Sequence, residues 1–421
     1  MKTRPNILWI VTTQWRASAT GYAGDTNART PCLDALAAES VNYTQAVTPH
    51  PFGPFARAAM LTGVASPENG VRDYFDPLPL GSRTIAQEMK ERGYATAFFG
   101  KWHLGKRDPS APLIGEAHAR TIVPPEARGG FEFWEGFESG FLLNDPWLHG
   151  TRLKEPTQFE GYQAEVLAGR AESWWQAGGA DPRPWFCVVS LESPHPPYHV
   201  PAGPLAPSDP AKLILSPNVP LGGDAEAKAR SELAGYYAHI AATDGCVGIL
   251  LSNLRCDRDR ENTVVVFTSV HGDMHGAHGL FRKGWPYEES VRVPLLVRVP
   301  HEHGSELRGV SSSALVSLVD LSRWTVGWAE GAKLETRNPE PGTEVQRISM
   351  PSVVELPQQC DRVWRGVRTE QRKLILDARG EPWLFFDLER DPLEMKNLVG
   401  DVTRAEEISR WMARVRAADV T

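Results

Sequence analysis

Apolar residues run almost unbroken from Asn6 to Val11, the pattern of a strand buried on both faces of a sheet. A cap-like Thr30, an early Pro31 and apolar residues at helical spacing predict a helix opening there. Arg57 to Leu61 reads as helix, stopped by Gly63. Ser82 to Arg92 carries an amphipathic stripe closed by Gly93, and Ala95 to Phe99 is the next strand. Asp108 to Pro156 is rich in Gly, Pro and aromatic residues, which predicts a long ordered loop or insertion. Beyond it, Gln163 to Ala177 reads as helix, Trp185 to Leu191 as strand and Ala225 to Leu254 as a long helix. Thr263 to Ser269 is a β-branched strand, and Pro294 to Val299 another.

This alternation predicts an α/β fold, a mostly parallel sheet sandwiched by helices. In such sheets the active groups sit at the carboxyl ends of the strands. Thr12 to Gln14, Lys101 to His103, Ser193 to His195 and Ser269 to Asp273 then share one edge. Gly331 to Gln346 is polar and contains proline, as a linker does. Short strands follow around Val363 to Arg368, Lys373 to Asp377 and Trp383 to Asp387, with a last helix from Arg404 to Ala417. The expected organisation is a core domain, 1–330, and a small C-terminal α+β subdomain, 345–421.

Composition narrows the function. The chain has 421 residues, 41% apolar and 23% charged, enough to bury a large core without disulfide or metal. Lys and Arg number 45 against 52 Asp and Glu, a net charge of −7 that argues against nucleic acid as partner. No apolar run nears the roughly 18 residues of a spanning helix, so no membrane partner is expected. The segment Ile7 to Val11 is too short for a signal-peptide core, and the five cysteines are scattered and odd in number. Reduced thiols and a cytoplasmic location are the expectation. Most of the 14 tryptophans should be core or pocket wall.

Several ordered blocks carry a resemblance. They include Pro5-Asn6-Ile7-Leu8, Thr30-Pro31-Cys32-Leu33-Asp34, Arg57-Ala58-Ala59-Met60-Leu61-Thr62-Gly63 and Gly100-Lys101-Trp102-His103-Leu104-Gly105. Pro194-His195-Pro196-Pro197, His271-Gly272-Asp273-Met274, His278-Gly279-Leu280, Tyr287-Glu288-Glu289-Ser290 and Asp387-Leu388-Glu389-Arg390-Asp391-Pro392 continue the series. On these blocks the chain resembles the sulfatase family of the alkaline phosphatase superfamily over nearly its whole length. The resemblance implies a divalent cation held by carboxylates, a formylglycine hydrate made from Cys or Ser, and lysines and histidines that bind the anion and protonate the leaving group.

Against that pattern the residues depart together. Where the family carries Asp-Asp or Asp-Gln after the first strand, this chain has Thr13-Gln14. Four residues before Arg57 stands Gly53; with one inserted residue the position becomes Phe52, and neither can become formylglycine. Val270 precedes His271 where the family carries Asp. A hard dication held by Gln14 and His271 alone would be poorly neutralised, so no metal and no cofactor are expected. The cationic rim of Arg57, Lys101, His103, His195, Lys283 and His271 matches the family. Bases kept while acids are lost suggest an anion pocket, the alternative being salt-bridged remnants of a decayed one.

Three readings follow. In the first, a metal- and formylglycine-independent enzyme binds a small sulfate-, sulfamate-, phosphate- or carboxylate-bearing substrate. His103, His195, Lys101 and Lys283 are its catalytic candidates, and Arg57, Thr13, Gln14, His271, His275 and Trp102 its substrate-binding ones. In the second, the chain is an inactive pseudo-sulfatase that binds an anionic ligand. In the third, a relocated metal sits on carboxylates such as Asp25, Asp73 or Asp273. His275 lies outside the family pattern, and its glycine-rich loop with His271 and His278 fixes no metal geometry. Asp273 is either an orienter of His271 or a turn residue, and Trp15 and Trp285 are either pocket wall or core.

Overall fold

The structure is a computed structural model and describes residues 4–177, 181–254, 261–300, 307–334 and 345–418. The strands of the main sheet are β1 (Asn6–Thr12), β2 (Val41–Tyr43), β3 (Ala95–Lys101), β4 (Phe133–Phe137) and β5 (Trp147–Gly150). They continue with β6 (Thr157–Gln158), β7 (Trp185–Ser190), β8 (Thr263–Ser269), β9 (Leu295–Arg298) and β10 (Val310–Ser312). Their order is β10-β2-β9-β8-β1-β7-β3-β4-β5-β6. The helices are α1 (Pro31–Ala38), α2 (Gly53–Thr62), α3 (Ile85–Glu91), α4 (Glu116–Ala119) and α5 (Gln163–Ala177). They are followed by α6 (Asp224–Asn253), α7 (Glu288–Val291), α8 (Asp320–Ala329) and α9 (Ala405–Ala418).

The centre of the sheet, β8-β1-β7-β3-β4, is parallel throughout, as the alternation predicts. Every residue of β1 is buried, and alternate side chains enter different cores. Ile7, Trp9 and Val11 join the cluster that holds Phe55 and Met60 of α2 and Met89 of α3. Leu8 and Ile10 join the one that holds Leu33 of α1, Leu167 of α5 and Tyr236 of α6. Gly63 (φ 70°) closes α2 in the left-handed conformation that glycine adopts without strain. α3 begins at Ile85 rather than near Ser82, because Thr84 and Gln87 form a reciprocal capping box.

One expectation needs correction. The stretch Asp108 to Pro156 is not only loop: β4 adds to β3 in parallel and β5 returns antiparallel to β4. Its glycines and prolines flank a short strand whose Trp134 and Phe137 are buried. The strand expected near Pro294 is β9, which runs antiparallel to both β8 and β2, so the sheet is mixed on this side of its parallel centre.

At the C-terminus, β11 (Gln346–Met350), β12 (Trp364–Arg368), β13 (Arg372–Asp377) and β14 (Pro382–Asp387) form an antiparallel sheet in sequence order. One face packs Leu374, Leu376 and Phe385 against Ile408 and Val415 of α9. On the other face, Met350, Trp364 and Phe386 belong to the same cluster as Trp9 and Phe55 of the main sheet. An ionic clamp adds to this. Lys373 Nζ lies 2.6 Å from Glu394 and 2.9 Å from Glu288, and Arg368 Nη2 lies 2.7 Å from Glu288. Most of the linker expected at Gly331 to Gln346 lies outside the described residues, as does Cys256. No helix among the described residues is long and apolar enough to cross a membrane.

Candidate active site

The carboxyl ends of β1, β3, β7 and β8 converge with the head of α2 and the segment 281–285. After β1 the backbone turns at Gln14 (φ 74°), and Thr13 and Gln14 are both buried. Arg57, on α2, does not offer an open fork. Its Nη2 donates to Thr13 Oγ1 at 2.8 Å, and its Nη1 to Ser190 Oγ at 2.6 Å and Lys101 O at 3.1 Å. It cross-links three strand ends, and burial lowers its pKa to about 10. Thr13 Oγ1 donates in turn to Leu191 O at 2.9 Å, which uses its proton.

Lys101 ends β3, and its Nζ donates to Glu192 Oε1 at 2.7 Å with both side chains buried. Burial pulls the lysine down to about 8 against the opposing carboxylate of Glu192. Phe141, from the segment after β4, stacks on His195 at 4.4 Å and lies 4.7 Å from Lys101 Nζ. It roofs both residues.

His103 (φ 58°) is buried beside Arg107, whose Nη1 lies 2.8 Å from His103 Nε2. Arg107 also reaches Tyr74 O and sits 3.4 Å from Glu138 Oε1. The other ring nitrogen, His103 Nδ1, has no partner. It faces Gly53, where a β-carbon would lie only 2.8 Å from it. The imidazole therefore occupies the space that a side chain at the head of α2 would take.

Lys283 is buried, and its Nζ donates to Gln14 Oε1 at 2.6 Å and lies 2.9 Å from His195 Nε2. Both partners are neutral, and among the described residues no carboxylate pairs with this ammonium. Burial, reinforced by the charge of Lys101, lowers it to about 7. Gln14 Nε2 bonds Asp273 Oδ2, which also accepts from Tyr198 Oη at 2.7 Å. The backbone N–H groups of His275 and Arg282 donate to Asp273 Oδ1 at 3.0 and 3.1 Å. Burial opposes ionisation of Asp273, yet His275, Arg282 and these hydrogen bonds hold it well below the usual carboxylate range. Asp273 is thus the anchor of Gln14 rather than of His271.

Burial and the lysine charges hold His103, His195 and His271 well below the usual imidazole value, so all three are neutral at pH 7. His275 lies a layer behind. Its ring packs at a tilt against Tyr236 at 4.1 Å, its Nε2 is 3.7 Å from Asp273, and the charges acting on it are Asp273, Arg16 and Arg282. Trp102 is not at the site either: it is core, packed edge-on against Phe98, Phe131 and Trp134. Trp15 packs on Phe267 in the opposite core. Of the carboxylates named for a relocated metal, Asp273 lies at the site on Gln14, whereas the other two bond elsewhere. Asp25 accepts from Tyr237 Oη at 2.5 Å and Asp73 from Ser352 Oγ at 3.1 Å. Among the described residues no three His, Cys, Asp or Glu side chains are grouped to hold a metal ion.

Sequence reasoning missed three residues: Glu192, Glu138 and Arg107. The motif positions that lose their acids do not leave the edge without carboxylates: Glu192 and Glu138 are buried there and pair with Lys101 and Arg107. The available signal was an acidic residue just past a strand end, Glu138 directly after β4 and Glu192 two residues after β7. A cavity of about 830 Å³ lies elsewhere, between α8 and the C-terminal sheet, and none of the site lysines or rim histidines lines it.

Fold and site together define an α/β protein with a buried cationic site at the carboxyl edge of its sheet. Solved structures share this fold over the full length. The putative sulfatase YidJ of Bacteroides fragilis superposes with a TM-score of 0.85 at 24% identity, covering 99% of this chain and 96% of that one. The phosphonate monoester hydrolase of Agrobacterium radiobacter gives 0.75 at 22%, covering 99% and 96%. The family model described as Sulfatase matches residues 5–332. The Ulvan-active sulfatase of Formosa agariphila is 34% identical over 416 residues, 94% of this chain and 78% of that one. The chain belongs to the sulfatase family.

Proposed function

We propose that this protein is a sulfatase-family enzyme that acts on a small sulfate-like anion without a divalent cation and without formylglycine. One observation carries the reading: the ammonium of Lys283 is buried with neutral hydrogen-bond partners, and among the described residues no carboxylate pairs with it directly, Asp273 and Glu192 acting on it only from a distance. A buried charge without a counter-ion costs several kcal/mol, and an anionic substrate is the natural way to supply one. Lys101 lies near Lys283, since Phe141 covers both Lys101 Nζ and the His195 that Lys283 bonds, and in this reading both lysines serve the same anion. The Ulvan-active relative points to a sulfate ester; sulfamate and phosphate monoesters present a similar anionic tetrahedron.

The donor set does not suit the family's dication. Thr13 Oγ1 is engaged by Arg57 and Leu191, Gln14 Oε1 already accepts from Lys283, and position 270 is valine. Asp273, the nearest carboxylate, has its oxygens spent on Gln14, Tyr198 and two backbone N–H groups. Formylglycine has no place at Gly53, which faces His103 across a gap too small for a β-carbon. Without a side-chain nucleophile, the acceptor is water or a hydroxyl of a second substrate, giving hydrolysis or direct transfer.

The bare Gly53 also favours a second reading, an inactive member of the family that binds the anion without turnover. Purified protein is assayed on activated aryl sulfate and phosphate esters in excess chelator, beside Lys283→Met. Turnover that survives chelation and falls in the variant is expected. No turnover, with sulfate binding intact, would establish the second reading instead.

A further inference from the structure

Hydrogen-bond partners decide which nitrogen of each site histidine carries its proton. A guanidinium or an ammonium only donates, and a carbonyl only accepts. Arg107 Nη1 faces His103 Nε2 at 2.8 Å, so that nitrogen accepts and the proton sits on Nδ1. His195 Nδ1 lies 2.7 Å from Pro196 O, so it donates, and its Nε2 accepts from Lys283 at 2.9 Å. His271 Nδ1 lies 2.9 Å from Gly272 O and carries the proton there as well. The three rings share one tautomer and differ in what meets the Nε2 lone pair. For His103 it is Arg107 and for His195 it is Lys283. For His271 it is nothing among the described residues, although the ring is fully buried.

We propose that His271 is the proton acceptor of the site, and that His103 is a fixed hydrogen-bond donor whose Nδ1–H points into the notch over Gly53. This deepens the enzymatic reading above and rests on it. His103 cannot serve as a base, because the only lone pair of its neutral ring is bonded to Arg107. His275 has unpartnered nitrogens too, but its ring is packed against Tyr236 and Tyr198 with Nε2 3.7 Å from Asp273, whereas His271 feels Lys283 and Lys101 as well as Asp273. In hydrolysis, an incoming water gives one proton to His271 Nε2 as its oxygen bonds to sulfur. The ester S–O bond breaks, and Lys283 Nζ passes a proton to the departing alcohol oxygen. The proton on His271 leaves to solvent and Lys283 takes one up, which restores the site.

Long-range ¹H–¹⁵N correlation spectra of protein labelled at histidine read the tautomers without any substrate. Signals are assigned with His103→Gln, His195→Gln and His271→Gln. His271 and His103 are expected as neutral Nδ1–H rings, and Arg107→Met should shift the His103 signal while leaving that of His271. On the substrate turned over by the parent protein, His271→Gln should lower kcat about a hundredfold or more with little change in KM. His271→Asn serves the same purpose if the glutamine variant does not fold. A proton on Nε2 of His271, or parental kcat in the variant, would overturn the proposal. Absence of turnover in the parent protein would defeat the enzymatic reading and the acceptor role together, whereas the tautomers would still stand or fall on the spectra.

Discussion

Glu192 is the counter-ion of Lys101, so an anion bound by that lysine would have to compete with it. Its Oε1 lies 2.7 Å from Lys101 Nζ, and its Oε2 has no partner. Replacing it with glutamine keeps an acceptor oxygen for the lysine and removes one negative charge. An anion oxygen bonded to the far side of Lys101 would stand about 5.5 Å from Glu192 Oε1. At an effective dielectric near 20, the repulsion removed is about 3 kcal/mol, roughly a hundredfold in affinity. The apo protein pays in the other direction, by about 3–5 kcal/mol, because Lys101 loses its buried counter-ion. Glu192→Gln should therefore unfold at lower urea yet bind sulfate tenfold to a hundredfold more tightly, and sulfate should restore much of the lost stability. Calorimetric titration with sulfate at pH 6 and constant ionic strength, beside urea unfolding, reads both effects. Weaker sulfate binding in a folded Glu192→Gln protein would refute an anion site on Lys101.

Other predictions follow from single contacts. Gly53→Ala forces a β-carbon to within 2.8 Å of His103 Nδ1 and should cost about 1–3 kcal/mol in urea unfolding, with weaker sulfate binding. Anion affinity should fall as pH rises through 7 to 8, because burial lowers Lys283 to about 7 and Lys101 to about 8. The contribution of Lys283 to apo stability has the opposite sign. The unfolded chain binds the extra proton between pH 7 and 10.5, so stability rises across that window; titrations from pH 6 to 9 with and without sulfate separate the two effects. Lys373→Met removes the ammonium from Glu394, while Glu288 keeps Arg368, and should cost about 1–3 kcal/mol by urea unfolding.

Much of the frame was legible because buried parallel strands advertise themselves. The runs at Asn6, Ala95, Trp185 and Thr263 are apolar on both faces, and their ends bring Gln14, Lys101, His195 and His271 together. β4 and β11 were harder: each is five residues long, and β4 lies among glycines and prolines that read as loop. Within the site, residue types were legible but pairings were not. Lys101 and Glu192 are 91 residues apart, and only the fold places one on the other. The same holds for Arg57, which looks like an anion-binding fork in sequence but is turned inward by Thr13 and Ser190. Trp102 follows a site lysine directly, yet its side chain points into the core below the sheet edge.

The most direct test is turnover measured together with metal content. Purified protein is analysed for bound metal, dialysed against chelator, and assayed on an activated sulfate ester before and after dialysis and after calcium or magnesium is added back. A rate unchanged by chelation and by added cation, with bound metal far below one per chain, is expected from a site whose charge is supplied by Lys101 and Lys283. A rate that vanishes on chelation and returns with the cation, or one tightly bound metal per chain, would contradict it.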